Sequence, residues 1–332
     1  MSSLRAGVDI GGTFTDLLLM DDSTGTFWVG KTLTTPDDPA RAVVDGLRDL
    51  LAAAGAVAGQ VRQVVHGTTL VTNALIERKG DRTALVTTRG FRDAIEIARE
   101  HRYDMYDLFL ERPAPLAPRR LRFEAVERLG ADGSVYLPLD EDALRTTVAE
   151  LRAAGVQAVA VCFLHSYANP AHERRAGEVL GGALPEVRIS LSCDVVGEIR
   201  EYERATTTLA NVYVQRIVQR YLDRIASGLG SLGSEAELLV MLSSGALATV
   251  ETAAAFPVRM IESGPAGGAL AAAHAGRLAG RPSLLSFDMG GTTAKACLIE
   301  DGAPSITQEL EVDRVYRFKK GSGLPIRTAA VI

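Results

Sequence analysis

Asp9-Ile10-Gly11-Gly12-Thr13, followed by Leu19 and Asp22, returns far downstream as Asp288-Met289-Gly290-Gly291-Thr292, followed by Leu298 and Asp301. All of these matches keep one common offset. Each copy lies between two apolar runs, one ending at the Asp and one starting a few residues past the Thr. That pattern is strand, tight Gly turn, strand. Two such hairpins can face each other and hold a polyphosphate between them. Gly-Gly lets backbone N–H groups approach phosphate without a Cβ in the way and permits positive φ at the turn. Thr13 and Thr292 add hydroxyl donors. Asp9 and Asp288 end their strands, where they would point at a metal carried by the phosphates, held directly or through its waters. The plain alternative is two unrelated hairpins with Gly turns, and the matching downstream residues weigh against it. No G-x-x-x-x-G-K-[ST] loop is present, and strand rather than helix follows the glycines, so neither a P-loop nor a dinucleotide fingerprint fits.

Just before the second copy the chain reads Glu262-Ser263-Gly264-Pro265-Ala266-Gly267-Gly268-Ala269-Leu270-Ala271-Ala272-Ala273. The stretch from Arg259 predicts a short strand, a turn and then a helix of small residues, which suits close helix approach at a hinge. Elsewhere the chain predicts strands over 5–10, 14–20 and 27–32 and a helix over 39–54 stopped by Gly55. A strand over 61–65 leads into His66-Gly67-Thr68-Thr69, and a helix over 70–78 ends at Lys79-Gly80. Residues 90–140 read as an inserted lobe, polar and aromatic at first, broken by Pro113, Pro115 and Pro118, and closed by a hairpin around Ala131-Asp132-Gly133. A long helical pattern runs from Ile199 to Leu229.

The chain has 332 residues, enough for about two domains, and a formal net charge of −5 with no basic run, which argues against a nucleic-acid surface. No apolar run approaches the ~18 residues of a membrane span, and the N-terminus fits no signal peptide. A cytoplasmic protein with neither nucleic acid nor membrane as partner is expected. Cys162, Cys193 and Cys297 are far apart and form no C-x-x-C pair; buried free thiols are expected at Cys162 and Cys297.

The paired Gly turns and the small-residue helix resemble the actin-like ATPases. That resemblance implies an α/β, ribonuclease H-like fold, with two phosphate-binding hairpins, mixed sheets flanked by helices and one inserted lobe. In that superfamily Glu262 matches an acidic residue that reaches the metal through water. A narrower resemblance rests on Val8–Asp16 (VDIGGTFTD), His66–Gly80 (HGTTLVTNALIERKG), Tyr106–Leu108 (YDL) and Phe163–Glu173 (FLHSYANPAHE). It continues through Arg200–Asn211 (REYERATTTLAN), Glu262–Gly268 (ESGPAGG) and Phe287–Thr292 (FDMGGT). In this order and over essentially the whole chain, these segments resemble the N-terminal half of the A subunit of the hydantoinase/oxoprolinase family.

The resemblance implies residues 1–275 as an N-terminal actin-like domain, with 276–332 opening a second domain that is cut short. It implies ATP with Mg²⁺ (Mn²⁺ as the alternative), and a B subunit or fused C-terminal half in a hetero-oligomer. The implied activity is ATP-dependent ring opening of a cyclic amide such as a hydantoin, 5-oxoproline or a lactam. Two alternatives are the nucleotide-binding subunit of an ATP-dependent ketone carboxylase and a nucleotide-gated binding module without catalysis. Carried over residue by residue, Asp9, Glu262 and Asp288 would arrange the metal. Gly11, Gly12, Thr13, Gly290, Gly291 and Thr292 would hold phosphates. Thr68, Thr69 and Asn73 would face substrate, and His66 would either move a proton beside Asp9 and Asp288 or, equally, cap the next helix or satisfy a buried carbonyl. Asp16 is a base or a strand-end ion pair, Arg200, Glu201, Glu203 and Arg204 a solvated or interdomain face, and His101 and Tyr103 possible substrate contacts. Two departures stand out. Lys295 occupies a position where the family commonly has Asp, which reverses the local charge and makes Lys295 a phosphate ligand, and Ser243-Ser244-Gly245-Ala246 replaces a common S-N-G-G.

Overall fold

The computed structural model describes residues 3–100, 102–289, 294–316 and 318–331. Gly290, Gly291 and Thr292 of the second turn, and His101, therefore lie outside the described residues. Two compact units emerge. One comprises residues 1–73, 217–308 and 328–332; the other comprises 74–216 and 309–327. The units are interleaved along the chain, a different division from the sequence-based boundary at 275.

The first unit is built on a six-stranded mixed sheet. Leu4–Ile10, Phe14–Asp21 and Phe27–Leu33 form an antiparallel meander. Val61–Thr68 lies parallel to Leu4–Ile10 on its other side, Glu237–Met241 follows in parallel, and Leu247–Thr249 closes the far edge. Alternation decides the faces: Leu4, Ala6, Val8 and Ile10 are buried while Arg5 and Asp9 are exposed. The helix Pro39–Ala54 covers one face with Val43, Leu47, Leu50 and Leu51; it opens on a proline and stops at Gly55 in the left-handed conformation. A second, three-stranded sheet carries Leu284–Met289, Ala294–Glu300 and Ala303–Pro304.

Between the two sheets in sequence runs the helix Ser263–Leu278. The expected strand before it is a 3₁₀ turn, Pro257–Met260, because Pro257 starts a tight turn that buries Val258 and Met260. Two glycines of this helix, Gly267 and Gly276, face strand residues rather than another helix. A Cβ at Gly267 would stand 3.0 Å from Met241 Sδ, and one at Gly276 would stand 2.3 Å from Leu284 Cδ2.

The second unit holds a parallel sheet in the order Arg188–Leu191, Ala158–Cys162, Thr83–Thr88, Arg122–Ala125. Ala158–Cys162 is buried along its full length, as a central parallel strand covered on both faces requires. The helices Glu141–Ala153 and Ala171–Ala183 supply Leu144, Leu151, Ala176 and Leu180 to its core. Much of 90–118 is loop, as the prolines predict. Arg122–Ala125, however, is a strand of the central sheet and not part of a separate hairpin. Its polar look concealed this: the Arg122 side chain is fully buried, donating to Ala117 O at 2.9 Å and to Glu96 Oε1 at 2.8 Å. The hairpin itself is confined to Arg128–Leu129 and Val135–Leu137, turning through Gly133 at φ 80°.

The Arg200–Asn211 motif also departs from expectation. Glu203 and Arg204 are each 1% exposed. Glu203 pairs with Arg99, and Arg204 donates to the carbonyls of Phe163 and Glu198. The following threonines are buried as well, Thr207 and Thr208 bonding back to the carbonyls of Glu203 and Arg204 at 2.7 Å. From Glu203 onward the motif is a largely hydrogen-bonded polar core of the helix Glu201–Ser231, with Arg204 Nε making no hydrogen bond among the described residues, while Arg200 stays exposed and Glu201 half-buried.

Gly80, which ends the HGTT-to-Gly motif, faces the buried Tyr213 ring: a Cβ there would lie 2.2 Å from Cδ1 and Cε1. Gly80→Ala is expected to destabilise the protein by about 1–3 kcal/mol, the usual cost of overpacking a rigid site. Thermal unfolding checks this, and an unchanged midpoint would remove the packing role.

Candidate nucleotide site

Every described residue assigned to phosphate, metal or substrate lies in the first unit, except Tyr103, which lies in the second. Asp9 is the last exposed position of its strand, directly opposite Asp16 in the antiparallel pair and opposite Gly67 in the parallel one. Its carboxylate is seated against two glycines. A Cβ at Gly67 would stand 2.9 Å from Asp9 Oδ1, and one at Gly264 would stand 3.4 Å from it. Gly67 of HGTT is therefore held small by Asp9, whereas Gly264 of ESGPAGG, almost two hundred residues away in sequence, lies at ordinary contact distance from the same carboxylate. Asp9 is open to solvent but walled in by protein. This partial desolvation raises its carboxyl above the ordinary range, and the charges of Asp16 and Asp288 push it further the same way.

The turn after Asp9 is tied by Gly11 N–H donating to Phe14 O at 2.9 Å, and Thr34 N–H donates to Thr13 O at 2.9 Å. Neither Gly11 nor Gly12 adopts positive φ. Of the two sequence-based reasons for these glycines, positive φ is not used here, and the absence of a Cβ remains. A Cβ on Gly11 would press on Phe14 O at 3.2 Å, while the position over Gly12 is open. Gly12 and Thr13 are exposed, so the turn presents backbone outward.

Asp288 and Lys295 are cross-strand partners in the three-stranded sheet. Lys295 makes an ion pair with Glu262, and burial pulls its ammonium down to about 8. Glu262, Asp288 and Lys295 line a cavity of about 250 Å³ with Pro265, Cys297 and Val331 among its apolar walls. Glu262 holds φ 66°, a left-handed conformation that costs energy for a residue with a Cβ and is typically retained where a side chain must be aimed. Among the described residues no three His, Cys, Asp or Glu side chains already form a closed metal site. Crowding of Asp9, Asp16 and Asp288 is nonetheless a donor set that a hydrated cation would relieve. Asp16 itself pairs with Lys31 at 2.9 Å.

The HGTT residues do not share one face. His66 is fully buried, not at the surface of a cleft. Its Nδ1 lies 3.2 Å from Val8 O and its Nε2 lies 2.6 Å from the Tyr221 hydroxyl. A carbonyl only accepts, so Nδ1 carries the proton and Tyr221 O–H donates to Nε2. Burial holds this imidazole neutral and lowers its pKa to about 4, while burial raises the Tyr221 phenol. Thr68 is buried too, and its hydroxyl accepts from Leu70 N–H at 3.1 Å, capping the next helix. Its backbone exchanges hydrogen bonds with Ser263 Oγ at 3.1 and 3.3 Å. Thr69 and Asn73 are half-buried and joined, Asn73 Nδ2 donating to Thr69 Oγ1 at 3.3 Å. Thr69 is thus anchored to Ile10 O at 3.3 Å, one residue past Asp9.

In the second unit, Tyr103 donates its hydroxyl to Glu111 O. Sequence reading missed Tyr221 and Ser263 as parts of this site. Tyr221 sits in an ordinary helical stripe, and nothing local marks it as the partner of a histidine far upstream. Ser243, in the loop that departs from S-N-G-G, is fully buried and donates its N–H and Oγ to Arg259 O, both at 2.7 Å.

The depressed pKa of His66 fixes a pH dependence. Unfolding frees an imidazole that protonates below about 6.5, while the folded one resists until about 4. Stability is therefore complete above about pH 6.5 and is lost as pH falls towards 4. Denaturant titrations are expected to show a loss of about 2 kcal/mol from this residue between pH 7 and pH 5. His66→Gln should flatten that interval; an equal slope in both proteins would contradict the buried neutral assignment.

Residues 5–183 match the hydantoinase/oxoprolinase N-terminal region, and residues 204–330 match hydantoinase/oxoprolinase. The chain is 34% identical over 319 residues to the caprolactamase subunit alpha of Pseudomonas jessenii, covering 94% of this chain and 46% of that one. The crystal structure of ATP-dependent caprolactamase from that organism superposes with a TM-score of 0.87 at 32% identity, over 99% of this chain and 47% of the other. A nucleotide-free structure of acetone carboxylase gives a TM-score of 0.87 at 27% identity, over 100% of this chain and 48% of the other. The chain thus spans about half the length of these relatives. Its mixed sheets flanked by helices have the fold of the actin-like ATPases. On these matches, the chain belongs to the hydantoinase/oxoprolinase family.

Proposed function

We propose that this chain is the nucleotide-binding part of an ATP-dependent amidohydrolase that activates a cyclic amide for ring opening by phosphorylating its carbonyl oxygen. The observation that carries this reading is the seat of Asp9. Gly67 clears space for its carboxylate at the mouth of the Gly11-Gly12-Thr13 turn, Gly264 packs at contact distance, and Asp288 is close enough to raise its pKa. In this reading Asp9 and Asp288 hold hydrated Mg²⁺, Gly12 and Thr13 offer backbone and hydroxyl donors to phosphate, and Lys295 offsets charge beside Glu262. Gly290, Gly291 and Thr292 complete the grip from the second turn. Thr69 and Asn73 are the substrate-side groups. His66 and Thr68 act as positioning residues through Val8, Leu70 and Ser263.

An amide resists attack because its nitrogen donates into the carbonyl. ATP, when bound, would supply the phosphoryl group that traps the amide as its imidate and opens that carbon to water, the C–N bond then breaking with the ring nitrogen leaving as the amine and the phosphate being released on hydrolysis of the acyl group. The residues of this chain then contribute position and charge rather than covalent chemistry. Relatives named as subunits support a partner subunit or fused second half. Leu285, Phe287 and Met289, exposed on one face of their strand, are suited to packing against it. A ketone carboxylase subunit is the second reading, favoured by the equal structural match to acetone carboxylase.

ATP hydrolysis by the full-length protein with its partner, measured against lactams, hydantoins, 5-oxoproline and small ketones, separates the readings. Stimulation by a cyclic amide without bicarbonate is expected. Stimulation only by a ketone with bicarbonate would move the protein to the carboxylases, and nucleotide binding without any stimulation would favour a binding module. Gly67→Ala is expected to lower turnover by about a hundredfold through displacement of Asp9 while leaving the fold intact. Asp288→Ala should abolish Mg-ATP turnover, and unchanged turnover would remove its metal role.

A further inference from the structure

A second cavity, also of about 250 Å³, lies in the other compact unit and uses none of the residues discussed above as a nucleotide site. Its walls are Ile95, Pro113, Pro115 and Pro325 on the apolar side, with Tyr202 between them and a charged rim. Behind this wall stand the buried Leu116, Leu209 and Leu324.

The rim charges do not balance. Each carboxylate is already matched. Glu96 receives Arg122 at 2.8 Å, Glu309 receives Arg99 at 2.8 Å and Arg327 at 3.2 Å, and Glu311 receives Arg314 at 3.0 Å and Gly321 N–H at 2.7 Å. Arg99 is further matched by Glu203. Two cations are left over. Arg112 donates Nη1 to the carbonyls of Glu96 and Ile97 at 2.7 and 2.8 Å, which fixes its guanidinium without neutralising it. Lys320 is exposed at the same rim. Neither makes an ion pair among the described residues. The Tyr202 phenol is half-buried and close to Arg112 and Arg99, and burial keeps it protonated as a donor.

We infer that this cavity binds a small organic carboxylate with an apolar body, its anion taken by Arg112, Lys320 and the Tyr202 hydroxyl and its hydrocarbon part lying on Ile95 and the prolines. An inorganic anion would use the cations and waste the wall. An amine would meet carboxylates that are all occupied. The volume is below the ~300–1,000 Å³ of pockets for drug-sized ligands, so the occupant is metabolite-sized. The inference is independent of the reaction proposed above.

Isothermal titration calorimetry of the full-length protein with hexanoate, hexylamine and inorganic phosphate tests it. Saturable binding of hexanoate is expected, with hexylamine and phosphate at least about tenfold weaker. Arg112→Gln should weaken hexanoate about tenfold or more, the scale of a lost charge-assisted hydrogen bond. Because Arg112 also holds two carbonyls, Lys320→Gln, at an exposed position, provides a second variant that should weaken hexanoate without touching the fold. The inference is overturned if hexanoate does not saturate, if hexylamine or phosphate binds as well, or if Lys320→Gln leaves its affinity unchanged.

Discussion

The carboxylate of Asp9 keeps its place because the neighbouring strand has no side chain at Gly67, where a Cβ would come within 2.9 Å of Oδ1. Gly67 ends the strand beside it, and Gly264 opens the helix above it. That single seating links the meander, the HGTT strand and the small-residue helix into one arrangement. Ser263 reinforces it by exchanging hydrogen bonds with the backbone of Thr68. Much of what looks like a list of motifs is one packing requirement seen from several points along the chain.

The same arrangement concentrates negative charge. Asp9 and Asp16 face each other across an antiparallel pair, and Asp288 adds its field. Lys31 and Lys295 answer part of this by pairing with Asp16 and Glu262. The remaining imbalance suits a cation with its own waters rather than a closed protein cage. The left-handed Glu262 is consistent with stored strain at such a place.

HGTT shows how a motif can divide its work. His66 and Thr68 point into the core and are spent on Val8, Tyr221 and Leu70, while Thr69 and Asn73 stay half-buried next to Ile10. Alternation along the strand sends His66 and Thr68 to one face and Gly67, with Asp9, to the other. A histidine near neutral pKa in sequence becomes a neutral, low-pKa core residue because both its nitrogens find partners and no water reaches it.

By itself, the sequence determined the elements whose signals are local: the 39–54 helix between Pro39 and Gly55, and the strands flanking the first Gly turn. Period and turn chemistry are written within a few residues, so they survive without context. Tertiary structure alone decided where polar residues go. Glu203 and Arg204 read as a solvated or interdomain face and Arg122 as part of a hairpin, yet all three are buried, as is His66, because each finds its counter-charge or hydrogen-bond partner from a distant segment. It also decided why two of the glycines are glycines: Gly67 for Asp9 and Gly80 for Tyr213. Pairings over such separations leave no local trace, since burial of a polar group is permitted by its partner and not by its neighbours in the chain.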